Sequence, residues 1–380
     1  MRVKLGDVCE RGTSNLKLSD VSEKNGEFSV FGASGYIGSV DFYQQGYPYV
    51  AVVKDGAGIG RAMLCPGKTS VIGTMQYLLP KDNILPKYLF YVVKYMNLEK
   101  YFTGATIPHI YFKDYKNEEF NFDFWERQVE IVSVLSKCEK VIDLCKQELQ
   151  LLDKLIKARF VELFGDPVSN SYGLPEATLP DLGEFGRGVS KHRPRNDIKL
   201  LGGKYPLIQT GDVANAGLYI TSYSSTYSEL GLKQSKMWDK GTLCITIAAN
   251  IAKTAILEFD ACFPDSVVGF IANERTNNIF VHYWFSFFQA ILESQAPESA
   301  QKNINLKILS ELKVIVPEKR KQDQFASFVK LTDKSGFVER FPELSLFFKA
   351  YSLLDSEMIC IFPYFCPYAE SAREIREIFS

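Results

Sequence analysis

From Trp125 to Phe164 the apolar positions fall at Ile131, Leu135, Cys138, Ile142, Cys145, Leu149, Leu152 and Ile156, in alternating steps of four and three. That spacing predicts a helix carrying a coiled-coil seam. Between the seam positions the charges alternate in sign (Glu139, Lys140, Asp143, Lys146, Glu148, Asp153, Lys154, Lys157), as on a solvated helix face. No Gly or Pro interrupts the stretch before Gly165-Asp166-Pro167, where glycine tolerates a left-handed cap and proline cannot continue the ladder. A central helix is therefore expected over 125–167. At about 1.5 Å per residue its seam would run roughly 37 Å, enough to act as a spacer between globular halves.

Residues 1–124 and 168–321 read alike, as apolar runs such as Tyr49–Val53 and Met75–Leu79 punctuated by glycine pairs. They are also similar to one another. Ile110, Lys113, Phe120, Phe122, Arg127 and Gln128 match Ile304, Lys307, Val314, Val316, Lys321 and Gln322, each 194 positions on. Phe31-Gly32 falls where Ile208-Gln209 falls, 177 on, and Ser70–Gly73 resembles Ser266–Gly269, 196 on. The chain is thus expected to be α+β: two copies of a mixed domain, each followed by a helix, with extra residues in the middle of the second copy. Antiparallel pairing of the helices would relate the domains by an approximate twofold, which suits a pseudo-symmetric target. Double-stranded DNA is the commonest of these, its half-sites recurring about every 34–36 Å on one face.

Over 380 residues the net charge is only −1, so any nucleic-acid contact must rest on local patches. The eight cysteines include no C-x-x-C pair, and two of them lie in the seam, which fits a reducing compartment. The opening MRVKLGDVCERGTS lacks the apolar run of a signal peptide, and no stretch approaches a transmembrane length. A cytoplasmic location without membrane contact is the expectation.

The densest basic cluster is Arg187, Lys191, Arg193, Arg195, Lys199 and Lys204 against Asp197, a local +5 in a segment rich in Gly and Pro. Such a loop suits phosphate contact, with arginine able to reach base edges. Gln209-Thr210, Lys233–Lys236 and Ala249-Asn250 add amide and hydroxyl groups near it in sequence. In the first half the counterparts are Ser34-Gly35-Tyr36, Lys54-Asp55-Gly56 and Gly58–Arg61. The last lacks dinucleotide-binding spacing and reads as a turn. Pro66-Gly67-Lys68-Thr69 resembles the end of a phosphate-binding loop, but Ala62 stands where glycine is needed and a strand follows. His109, His192 and His282 have no partner at metal spacing, so no metal is expected. Pro264-Asp265 and Glu311-Leu312-Lys313 lie too far apart for a nuclease site, and neither a Gly-x-Ser-x-Gly elbow nor an Asn/Asp-Pro-Pro-Tyr tetrapeptide occurs. No catalytic constellation is expected.

KLIKARFVELFGDP (Lys154 to Pro167), closing a heptad helix between two repeats, resembles the central region of specificity subunits of type I restriction-modification systems. YPLIQTGDV (Tyr205 to Val213), YSELGLKQSKMW (Tyr227 to Trp238), KGTLCITIAAN (Lys240 to Asn250), CFPDSVVGF (Cys262 to Phe270) and SAQKNINLKIL (Ser299 to Leu309) are similar to that family's second target-recognition domain. The resemblance covers residues 1 to about 335. It implies a non-catalytic subunit whose two domains each read half of a bipartite DNA target, while the helices set the gap and dock modification subunits. Those partners would bring S-adenosylmethionine, and ATP- and Mg-dependent restriction subunits would join them, so no cofactor is expected in this chain. The implied DNA contacts are Lys191, Arg193, Arg195, Gln209, Thr210, Lys236 and Asn250 in the second domain, and Ser34, Tyr36, Lys54 and Arg61 in the first.

One departure stands out. A second spacer helix, expected to start over 322–338, should keep its seam at 325, 329, 332, 336, 339 and 343, but those positions hold Phe325, Val329, Thr332, Gly336, Glu339 and Glu343. Pro342 cannot sit inside a helix, so 339–380 reads as an atypical tail. Two other classes compete with DNA reading. One is a coiled-coil scaffold whose globular ends bind proteins. The other is an enzyme using the Ala62–Thr69 loop, which predicts ATP binding abolished by Lys68→Ala.

Overall fold

The computed structural model describes residues 1–21, 26–103, 108–195, 197–248, 251–295, 304 and 306–332. The chain divides into two compact units at Leu144–Cys145. The first begins with β1 (Arg2–Lys4), a single helical turn α1 (Leu5–Val8) and β2 (Cys9–Thr13). There follow β3 (Phe28–Gly32), β4 (Gly35–Val40), β5 (Tyr49–Val53), β6 (Ala62–Cys65), β7 (Ser70–Val71) and β8 (Met75–Pro80). α2 (Pro86–Tyr95), α3 (Phe112–Tyr115) and β9 (Glu119–Asn121) complete it, and the long α4 (Trp125–Phe164) runs from this unit into the second.

Among the described residues its strands form sheets in the orders β2-β8-β5-β6, β4-β3-β7 and β1-β9. Every residue of β5 is buried, so this strand is a continuous apolar run rather than an alternation. Val50 and Val52 face α2 through Leu89 and Val93, while Tyr49, Ala51 and Val53 face the opposite layer with Val71, Met75 and Tyr77.

The second unit repeats this plan. β10 (Glu176–Ala177), α5 (Leu179–Leu182) and β11 (Gly183–Arg187) correspond to the first three elements. β12 (Leu201–Leu207) is followed by an added helix, α6 (Thr210–Asn215), and an added strand, β13 (Tyr219–Ile220). Then come β14 (Ser225–Tyr227), a second added helix α7 (Glu229–Lys233), an added strand β15 (Met237–Trp238), β16 (Leu243–Thr246), β17 (Thr254–Leu257), β18 (Ala261–Cys262) and β19 (Val267–Ala272). α8 (Asn278–Gln295), α9 (Leu306–Glu311), β20 (Val314–Ile315) and α10 (Lys319–Leu331) close it. Its sheets run β11-β19-β16-β17-β13, β14-β12-β18-β15 and β10-β20. Apart from β13 and β15 at sheet edges, the strand orders are those of the first unit, so the duplication read from the sequence is a duplication of topology.

Pairing fixes the alignment more sharply than matching strings. Val30 lies opposite Ser70 in a parallel pair, as Leu207 lies opposite Cys262, which upholds the frame joining Phe31 to Ile208. The same pairs correct the match of Ser70–Gly73 with Ser266–Gly269. Ser70 corresponds to Cys262, whereas Val267 opens β19, the counterpart of β8. The short string Ser-Val-apolar-Gly occurs at two different strands, and only the ladder tells them apart. The added residues of the second copy fall mainly between β12 and β14.

Helix α4 ends where expected, with Gly165 at a φ of +74° and its N–H on the Val161 carbonyl at 2.8 Å. All eight seam positions are buried or half-buried, while Val141, Leu144, Leu151 and Leu155 face outward. Ile131 and Leu135 enter the first unit's core; Ile156, Phe160 and Phe164 enter the second's. α10 starts at Lys319, before the expected 322, and packs Phe325 against Phe160 and Phe164 at ring separations of 5.3 and 5.8 Å. Gly336, Glu339, Pro342, Glu343 and the expected tail lie outside the described residues. No helix among the described residues is long and apolar enough to cross a membrane.

Candidate nucleic-acid interface

β11 ends at Arg187 and Gly188 follows, its N–H meeting the Val267 carbonyl at 2.9 Å. A Cβ there would lie 2.3 Å from the Phe263 carbonyl, so only glycine lets the following loop lie against the β18–β19 connection. The loop is then moored by side chains. The backbone N–H groups of Lys191 and His192 both donate to Gln234 Oε1, at 2.7 and 3.0 Å, and Ser235 Oγ donates to the Val189 carbonyl at 2.7 Å.

On this frame Arg193 donates to the Ser190 carbonyl at 2.6 Å and lies 3.5 Å from Asp265. Arg195 reaches the same carboxylate at 2.5 Å. Lys236 lies 3.1 Å from Glu184 and 3.7 Å above the Trp238 ring. Lys191, Arg193, Arg195 and Lys236 are all exposed. The sequence count of +5 is therefore corrected: Asp265 answers two arginines, and Glu229 answers Lys204 at 3.4 Å. His192 contacts Asp197 at 3.1 Å; the Lys199 backbone N–H and then this imidazole hold that carboxyl below its usual range. Exposed pairs of this kind contribute little to stability. They do orient each guanidinium fork, and a phosphate can replace the carboxylate on it.

Gln209 precedes α6, with its N–H on Asp212 Oδ2 at 2.8 Å, and Thr210 is the helix's first residue. Because β12 and β18 run parallel with Leu207 opposite Cys262, Gln209 and Thr210 leave the sheet at the same end as Pro264-Asp265. The structure thus brings Arg193, Arg195 and Gln209 to one end of the domain, and Gln234 ties Lys191 to the same loop. Asn250 lies outside the described residues.

In the first domain the equivalent end is the β3–β4 hairpin. Ser34 and Tyr36 are exposed there, with Gly35 at a φ of +113° making the turn. Arg61 donates to the Ala33 carbonyl at 3.4 Å, which joins it to Ser34 and Tyr36. Lys54 stands in a different setting: it pairs with Asp55 at 2.9 Å, and Asp55 meets His109 Nδ1 at 2.7 Å. Burial works against the Asp55 charge, but hydrogen bonds from His109 and Lys54 outweigh it and hold the carboxyl below its usual range.

Sequence reasoning missed Glu184, the counter-ion roles of Asp265 and Asp55, and the mooring role of Gln234. Asp265 is remote in sequence from the arginines it serves, and no local pattern announces it. The two glycine decoys are turns: Gly58–Arg61 joins β5 to β6, and Thr69 Oγ1 closes on the Pro66 carbonyl at 2.7 Å before strand β7, with no helix after it. Among the described residues no cluster of three or more His, Cys, Asp or Glu is placed to hold a metal.

Comparison with known proteins agrees with the duplication. A family model described as the type I restriction modification DNA specificity domain matches twice, over residues 1–154 and 176–337. The type I restriction enzyme MjaIX specificity subunit of Methanocaldococcus jannaschii is 26% identical over 179 residues, 42% of this chain and 40% of that one. A second chain of that organism, provisionally named the MjaX specificity subunit, is 22% identical over 292 residues, covering 72% of this chain and 68% of its own length. In fold, the chain is similar to the type I restriction-modification S subunit from M. genitalium, with a TM-score of 0.60 at 18% identity, over 93% of this chain and 94% of that one.

Proposed function

The chain belongs to the type I restriction-modification DNA specificity family, the non-catalytic share of such systems, and we propose that its two domains each read one half of a bipartite duplex target. The observation that carries this reading is the repeated strand order, which sets Ser34, Tyr36 and Arg61 at the end of one domain equivalent to that bearing Gln209, Arg193 and Arg195 in the other. In this reading Arg193, Arg195, Lys191, Lys236, Lys54 and Arg61 meet phosphates or guanine edges. Gln209, Thr210, Asn250, Ser34 and Tyr36 supply groups that discriminate bases.

The helices α4 and α10, paired antiparallel along the Ile131–Ile156 seam, would hold the halves of the target a set distance apart. Modification subunits docked on them would supply S-adenosylmethionine and methylate adenine, and ATP-dependent restriction subunits would join that core. The test is genome-wide mapping of methylated adenine in cells with the chain present and deleted. One motif of two short half-sites around a fixed gap, lost on deletion, is expected. Methylation unchanged by deletion would sink the reading.

A further inference from the structure

Two residues that the repeat pairs with each other, Gln128 and Gln322, have no place in DNA contact and are 0% exposed. Each is the fourth residue of its helix, counted from Trp125 in α4 and from Lys319 in α10. Gln128 Nε2 donates to the Asp123 carbonyl, in the lead-in to its own helix, at 2.9 Å, and to the Asn83 carbonyl, in the loop before α2, at 3.0 Å. Its Oε1 accepts the Leu85 N–H at 2.9 Å. Gln322 does the same one domain later. Nε2 donates to Pro317 at 2.8 Å and to Arg275, in the loop before α8, at 3.0 Å, and Oε1 accepts the Thr276 hydroxyl at 2.8 Å.

The third bond is made by a backbone N–H in one copy and a side-chain hydroxyl in the other. The chemistry differs and the geometry is kept. An apolar residue would bury as well at this depth, and the neighbouring contacts through Ile131 and Phe325 are apolar. Apolar contacts carry no direction, whereas hydrogen bonds weaken steeply with misalignment. The glutamine is therefore the contact able to fix how each helix is turned where it leaves its domain.

We propose that Gln128 and Gln322 are positioning residues that lock the exit direction of each helix and thereby set the gap length between the two half-sites. This rests on the bipartite reading above. Because the reader would swing at the end of a helix, a small change of angle at the lock becomes a displacement comparable to the roughly 3.4 Å advance per base pair.

The test compares methylated motifs in cells carrying the wild-type chain, Gln128→Leu, Gln128→Asn and, as a control, Val50→Ala, which trims the same core without touching the lock. Thermal melting of each purified chain runs alongside. The expected result is that at least one glutamine variant methylates the same half-sites at a gap shifted or spread by about one base pair, while Val50→Ala keeps the wild-type gap. Two results would overturn the lock: the wild-type gap alone in both glutamine variants, or lost methylation together with a lost melting transition, which would make the glutamine a residue of stability only. An undivided motif from the wild-type chain would instead defeat the reading on which the lock rests.

Discussion

Asp265 pairs with both Arg193 and Arg195, so under the proposed reading it would both aim them at phosphates and repel those phosphates. Replacing Arg193 and Arg195 by alanine should weaken duplex binding and flatten its salt dependence by about 1.8 in log–log slope if both touch phosphate. If they read bases, sequence preference relaxes instead. Asp265→Asn should bind random duplex more tightly than the parent at low salt, with discrimination between sequences reduced; anisotropy titrations across salt would show both, and unchanged random-duplex binding would remove Asp265 from the interface. His282 gives a pH signature of another kind. Burial pushes its imidazole down to about 4, against the pull of Thr254, whose hydroxyl is 2.9 Å from Nδ1, and of Asp153. The unfolded chain binds this proton near pH 6.5 and the native one near 4, so stability is full above 6.5 and falls as pH drops through that window, by on the order of 3 kcal/mol in all. His282→Phe, which copies Phe90 at the equivalent place in the first domain, should flatten the melting temperature between those values; a slope equal to the parent's would assign the acid sensitivity elsewhere.

At the scale of elements, α4 concentrates its stabilising contacts at particular turns. Phe160 is enclosed by Phe164, Phe280, Phe287 and Phe325 at ring separations of 4.9 to 5.3 Å. Phe160→Ala should cost about 3–5 kcal/mol, whereas Leu151→Ala, at a position 63% exposed, should stay within about 0.5 kcal/mol; denaturant unfolding of both variants would check the contrast. α4 was legible in the sequence because its seam keeps one period without a glycine or proline to break it. α8 was not, because Tyr283 and Phe287 pack on the core beside the face formed by Phe280, Val281, Trp284 and Phe285, and a helix apolar on more than one side shows no period to read. The repeat was legible at its edges, through Ile110 and Gln128, and misread in its middle, where Ser70 was set against Ser266. Strand identity there depends on parallel pairing between residues some forty apart, and a string match carries no such information. The arginines of the candidate interface could be found as a local run of charge. Their counter-ion could not, since Asp265 comes to them only through the fold.

For the whole molecule, the repeated topology makes the two domains exchangeable in principle. The lead-ins to the helices correspond, Phe122 with Val316 and Asp123 with Pro317, and both Phe122 and Val316 donate their N–H groups back to the residue just before the first strand of their own domain, Met1 and Pro175. A chain with residues 176–317 placed where 2–123 now stand would therefore meet α4 with its strand ends and its buried glutamine in register. The extra segment between β12 and β14 lies away from that junction, so it would travel with the domain. Carrying one reader twice, such a chain should methylate a motif whose two halves have the same sequence. Their orientation then decides the symmetry: helices paired antiparallel, as proposed, would place the copies about a twofold and demand an inverted repeat. A direct repeat would overturn the twofold while leaving each domain a reader of half a site, and two unlike halves would show that the reading surface draws on residues outside 176–317.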